Sequence, residues 1–246
     1  PLVGGAIVLA SGFAMIFLAA AAVGALALLL SFTLPRVEAG ETAACDNEAG
    51  GALSGLKDAL RQPALRPWYL VTLANMFFVG ILFGFLPVRV FALGYGPLIS
   101  GILLTAVALA YLSIQPIAGV LADRVGPAIT IRAGLLLAAA AVLLIPFLSG
   151  GYLFAAMVLA GIGVGTVWTN TDAVISAVAP IGRLGATMGV AGSFKEIGDM
   201  LGPLLIGLVS QTFGLTVGFV SCGALGLLSL AVVSLRGAGG RSPADL

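Results

Sequence analysis

Histidine is absent from the 246 residues, and cysteine occurs only twice. Without histidine, most zinc sites and every His-dependent nucleophilic triad are excluded. Cys45 falls in a polar stretch and Cys222 in an apolar one, so no structural disulfide is expected. No metal site and no cofactor is predicted. Charge is scarce as well: Asp, Glu, Lys and Arg make up 9% of the chain, against about 25% in an ordinary soluble domain. Such a chain cannot cover its surface with polar groups in water. The formal net charge is +1 and no basic tract is interleaved with aromatics, so nucleic acid is not an expected partner. The first apolar run lacks a basic leader region and is followed by further runs, so it is not read as a signal peptide. These absences point away from enzymatic chemistry.

What remains is apolar. Hydrophobic residues make up 60% of the sequence, and the mean hydropathy is +1.18. Apolar runs occur near residues 13–34, 68–88, 98–121, 133–148, 152–169, 184–209 and 214–235. Several reach the roughly 20 residues that cross a bilayer core as a helix. The chain therefore reads as an all-α, polytopic helical bundle with the lipid bilayer as its solvent. If the spans alternate, Arg36, Lys57, Arg61, Arg66, Arg124, Arg132, Arg183, Arg236 and Arg241 share one side, and Arg89 stands alone on the other. The positive-inside rule then places the long 36–66 segment, the loops 122–132 and 180–183, and the C-terminus in the cytoplasm. Within that segment, LSGLKDALRQPALRPW has near-helical spacing. It reads equally as a membrane-surface helix or as a solvated connector.

Displaced by 202 positions, the chain matches itself. Pro1 meets Pro203, Leu2 meets Leu204, Gly5 meets Gly207, Gly12 meets Gly214, Phe17 meets Phe219 and Gly24 meets Gly226. Internal duplication with a binding site at the repeat interface is a common transporter architecture. The spacing implies six-span units: residues 1–35 as the end of one, 36–66 as a central loop, 67–236 as a complete second, and 237–246 as a tail. It predicts that the chain is the later part of a longer protein whose first unit supplies four further spans and half of the cavity.

Two motifs carry a resemblance. GVLADRVG, with Gly119, Asp123, Arg124 and Gly126, resembles the G-x-x-x-D-R-x-G loop signature of the major facilitator superfamily. PLVGG, with Pro1, Gly4 and Gly5, resembles the end of the fifth-helix signature of that family's drug:proton antiporters. Here Pro127, Ala128 and Ile129 stand where the family's loop usually carries basic residues. The resemblance implies the C-terminal six-helix half of a twelve-helix fold, plus the last one and a half helices of the N-terminal half. It implies a plasma or inner membrane protein that exports small, largely apolar compounds in exchange for protons, by rocking-type alternating access. A proton-coupled metabolite importer of the same fold is the alternative. A seven-span receptor or sensor is a more distant one. The resemblance further implies that Asp123 meets the N-terminus of a helix in the other half and latches one rocking state; a solvated turn is the plainer reading. Gly119 and Gly126 fit the close packing that a latch needs.

The remaining charge lies inside a span. GSFKEIGDMLGP holds Lys195, Glu196 and Asp199, and a charge at mid-bilayer costs at least about 2.5–3.5 kcal/mol on insertion scales. Lys195 and Asp199, four apart, share a helical face and are expected to pair. Counted from Gly185, Lys195 lies about 15 Å in, near the midplane. Asp172, on the preceding helix, is the nearest further partner. A carboxylate in a low-dielectric medium can load and release protons near neutrality. Glu196, turned about 100° from Lys195, is ranked first for that role, ahead of Asp172 and Asp199. The other reading is a self-neutralised network that fixes packing. Asn170, Thr171 and Asn75 are candidates for lining a substrate site, or for bonding neighbouring helices. The glycines of GIGVG (161–165) and Gly198 and Gly202 are expected to bring helices close together.

Overall fold

The computed structural model describes residues 1–33 and 52–237. The acidic part of the central segment, with Cys45, and the tail lie outside the described residues. Among the latter, the chain forms nine α-helices and one 3-10 turn (Ile145–Phe147), with no strand. The helices are α1 (Leu2–Ser11), α2 (Phe13–Ser31), α3 (Ala52–Arg61), α4 (Arg66–Ala92), α5 (Pro97–Val125), α6 (Pro127–Leu144), α7 (Gly150–Val178), α8 (Leu184–Phe213) and α9 (Leu215–Gly237). Stretches Ala14–Ser31, Arg66–Ala92, Pro97–Val125, Pro127–Phe147 and Gly150–Val178 are long and apolar enough to cross a membrane. At 30 residues α8 is long enough too, but its three charged residues lower its hydropathy.

Residues 122–132, expected as a loop, are helical apart from one residue. Gly126 adopts φ 93°, and its N–H donates to Ala122 O at 2.9 Å. Pro127 opens α6 with a preset φ and no N–H to satisfy. A positive-φ glycine followed by an N-terminal proline therefore reverses the chain in a single residue. A glycine also separates α1 from α2 and α8 from α9. Gly12 (φ 79°, ψ 176°) and Gly214 (φ 89°, ψ 159°) each bond back four residues, to Val8 O and Ser210 O at 3.0 Å. These are equivalent positions of the 202-residue repeat, so like sequence makes like local structure.

The helices pack through glycine. Gly198 and Gly202 of α8 lie against the carbonyl oxygens of Leu73 and Phe77 on α4, and Gly161 and Gly165 of α7 lie against those of Val107 and Tyr111 on α5. A Cβ on Gly134 of α6 would stand 2.9 Å from Gly163 O of α7, and one on Gly163 2.7 Å from Gly134 O. Lipid tails are as apolar as side chains, so close backbone approach and dispersion hold membrane helices together. The main pairs are α4 with α8, α5 with α7, and α6 with α7 and α9. Exchanging the triplet α4–α6 with α7–α9 turns the α4–α8 pair into α7–α5, the pattern of an internal pseudo-twofold repeat. Phe78, Ile81, Leu82, Leu135, Val142 and Met157 fill the common core.

The other helices attach to this bundle. At the α1–α5 crossing a Cβ on Gly5 would lie 3.1 Å from Pro97 O, and one on Gly101 3.0 Å from Pro1 O. The Leu2 N–H, an orphan donor of the first turn, donates to Thr105 Oγ1 at 2.8 Å. Helix α2 packs on α1 and is otherwise exposed. The α3 segment, open between two readings in the sequence, is a helix docked on α8, with Ala59 buried and Asp58 ion-paired with Arg183.

Candidate functional site

Three helices bring their polar residues to one point. Helix α7 carries Trp168, Thr171 and Asp172 on one face, since positions three and four apart lie together. Helix α8 presents Lys195, and α4 presents Thr72 and Asn75 one turn apart. These groups line a cavity of about 10 Å³, room for about one water molecule.

The Lys195 ammonium donates to Asp172 Oδ2 at 2.7 Å, with side chains 18% and 27% exposed. The same nitrogen stands 4.5 Å from the centre of the Trp168 ring, within cation–π range. Tyr111 of α5 packs edge-on against that ring, with centroids 5.6 Å apart, and holds it in place. Each charge thus has the partner that low dielectric demands. The expected Lys195–Asp199 pair does not form. Its order along the helix, cation before anion, is the weaker one, while α7 offers both a carboxylate and an aromatic face. Asp199 instead places its backbone carbonyl against Gly80.

Glu196 is exposed, on a face of α8 with Ile197 and Met200 and outside the cavity. Along the helices at 1.5 Å per residue, Lys195 lies about 17 Å from the start of α8 and Asp172 about 9 Å from the end of α7. Both ends meet at the 179–183 loop, so the pair lies between that end and the middle of the bundle, with Lys195 close to the middle of α8.

Of the expected lining residues, Thr171 and Asn75 border the cavity and Asn170 does not. The Asn170 side-chain amide donates to Thr166 O at 2.8 Å and to Ala118 O at 3.3 Å, bonding α7 to α5. Asn75 donates to Val164 O at 3.3 Å. Its Oδ1, Thr72 Oγ1, Thr171 Oγ1 and Asp172 Oδ1 are buried without hydrogen-bond partners. Unpaired polar atoms at this depth are costly, and the adjoining cavity has room for one water or ligand atom to bond them. Trp168 and Thr72 were missed from the sequence, although their spacing from Asp172 and Asn75 was the available signal.

Elsewhere, Asp123 and Arg124 are exposed at the end of α5. Among the described residues, nothing stands within 4 Å of a Cβ on Gly119 or Gly126. Gly126 is there for its backbone angle instead. Pro1, Gly4 and Gly5 belong to the α1–α5 contact, remote from the ion pair. Among the described residues, no group of His, Cys, Asp or Glu is arranged to hold a metal ion.

The site offers a cation, a carboxylate, an aromatic face and hydroxyls, a set suited to binding and proton exchange. A family model described as Major Facilitator Superfamily matches residues 68–244. An uncharacterized MFS-type transporter of Methanocaldococcus jannaschii is 30% identical over 168 residues, which is 68% of this chain and 43% of that protein. The chain thus spans less than half the length of that relative. With a membrane bundle of this topology and a family match from α4 through α9, the chain belongs to the major facilitator superfamily.

Proposed function

We propose that the protein is a secondary active transporter that exports small, largely apolar compounds in exchange for protons. Two six-helix units, one of them formed by α4–α9, rock about a shared cavity. The basic ends of the helices and the central segment face the cytoplasm of a cell that carries the protein in its plasma or inner membrane. The partners are the bilayer, protons, the substrate and the other six-helix unit. Asp123 latches one rocking state against that unit.

The observation that carries this reading is the Lys195–Asp172 pair, held inside membrane helices among unpartnered polar atoms. We assign proton carriage to Asp172 ahead of Glu196, because Asp172 faces the cavity and trades a proton against an ion pair. Export is supported by the likeness of PLVGG to the antiporter signature.

The test uses the full-length protein in inverted vesicles, with an imposed proton gradient and a panel of neutral and charged fluorescent dyes. Asp172→Asn should abolish gradient-driven accumulation while sparing downhill exchange, and Glu196→Gln should accumulate dye at near wild-type rates. Concentrative transport by Asp172→Asn would remove Asp172 from coupling. Uncoupling by Glu196→Gln alone would transfer the role to that residue.

A further inference from the structure

We infer that the Asp172–Trp168 corner is a recognition site for an organic cation, and that the Lys195 ammonium is the resident group such a cation displaces. The inference rests on the transport reading above, but it concerns only the charge of the ligand.

Start from the balance of donors and acceptors. An ionised Asp172 and the carbonyl oxygen of Asn75 can only accept. Asp172 Oδ1 and Asn75 Oδ1 both lie buried without a donor, beside the hydroxyls of Thr72 and Thr171. Thr72, Asn75 and Thr171 are each at most 3% exposed. The one cation present satisfies one carboxylate oxygen. Two acceptor oxygens beside the ion pair thus stay open to the N–H groups of a cation.

The aromatic wall points the same way. Trp168 presents its ring face, the electron-rich surface, to the Lys195 ammonium at 4.5 Å. A carboxylate in that position would meet repulsion from the ring face.

Then consider which partner can leave. Asp172 sits on a short side chain fixed to α7, whereas Lys195 carries its charge on a flexible four-carbon stem. With Lys195 as one wall the cavity has room for about one water, so a larger group reaches Asp172 only if Lys195 withdraws. Exchange of cation for cation keeps Asp172 paired, and the long stem lets the displaced Lys195 ammonium reach toward water. An anionic ligand that drew Lys195 away would leave the short-stemmed Asp172 unpaired in place, which is the costlier state.

The test is isothermal titration of the purified full-length protein in detergent, without any gradient. Three ligands share one aromatic body: phenethylammonium, phenethyl alcohol and phenylacetate. Phenethylammonium should bind saturably, about tenfold or more tighter than the alcohol, and phenylacetate should not bind. Asp172→Asn should weaken the ammonium about tenfold, whereas Lys195→Met, which keeps the apolar stem and removes the competitor, should tighten it. A structural role for Lys195 would not predict tightening.

Preferred binding of phenylacetate would overturn the inference in favour of an anion site. Equal binding of all three would make recognition purely apolar. No ammonium binding by wild type or by Lys195→Met would likewise end it, as would weaker binding by that variant. The three-ligand comparison on wild type decides the matter even if a variant fails to fold. No gradient enters this assay, so a lost cation preference leaves the transport reading standing, and lost coupling in vesicles leaves the ligand charge standing.

Discussion

A Cβ added to Gly80 would fall well inside van der Waals contact distance of Asp199 O and 2.8 Å from Pro203 Cδ. Neither neighbour is the free end of a flexible side chain, so the whole α4–α8 contact must move to admit a methyl group. Gly119 provides the control. It also lies inside a helix, and a Cβ there meets nothing within 4 Å. Alanine has the higher helix propensity at both positions. Gly80→Ala should therefore lower stability in detergent by about 1–3 kcal/mol, while Gly119→Ala should be neutral or stabilising by up to about 1 kcal/mol. Thermal unfolding of the two variants checks this. Equal shifts would mean that the close approach does not govern the contact.

At the scale of an element, α3 shows how an amphipathic segment becomes part of a membrane bundle. Ala59 and Leu65 join Tyr69, Ile175, Val190 and Ala191 in a buried cluster at the α7–α8 end, and Tyr69 stacks on Phe194 with centroids 5.3 Å apart. Asp58 and Arg183 pair above this cluster with half-exposed side chains. Exposed ion pairs contribute about 0–1 kcal/mol, so the apolar contact must dominate the docking. Asp58→Asn should leave α3 seated, and Ala59→Glu should release it, because a carboxylate would be forced into the cluster. Limited proteolysis between residues 52 and 61 reads this directly: faster cleavage in the second variant, little change in the first. Equal acceleration would show that the ion pair holds the helix.

At the scale of the whole molecule, the alternation of α4 to α9 puts the α3 helix, the Gly126 reversal and the 179–183 loop at one end, and the 93–96 and 148–150 turns at the other. At the second end Arg89 donates to Pro146 O at 2.7 Å, so the one basic residue at that end among the described residues bonds a turn carbonyl. Under the proposed orientation, Asp58→Cys and Asp123→Cys should be shielded from an impermeant maleimide in intact cells, and Tyr152→Cys should react. The background is the full-length protein with all its native cysteines, Cys45 and Cys222 among them, replaced by serine. Labelling of Asp123→Cys from outside would invert the molecule and exchange import for export in the proposed cycle.

Spans, breaks and close-packing glycines were legible in the sequence, because hydropathy and backbone freedom are properties of consecutive residues. The apolar runs located the helices to within a few residues at most ends, and GIGVG announced its own packing role. Gly126 was legible as a break, but not as a whole turn, since the polar residues around it continue both helices without cost. The 202-residue repeat was legible too, and Gly12 and Gly214 carry it into matching backbone angles. The choice among partners was not legible. Lys195 has a carboxylate four residues away on its own helix, yet it bonds one 23 residues back. That depends on how α7 and α8 rotate about their axes, which the glycine contacts of α5, α6 and α4 set jointly. The same rotations turned Glu196 outward and took Asn170 to the carbonyl of Ala118. Local periodicity places a residue on a face of its helix; only the packed bundle decides what that face meets.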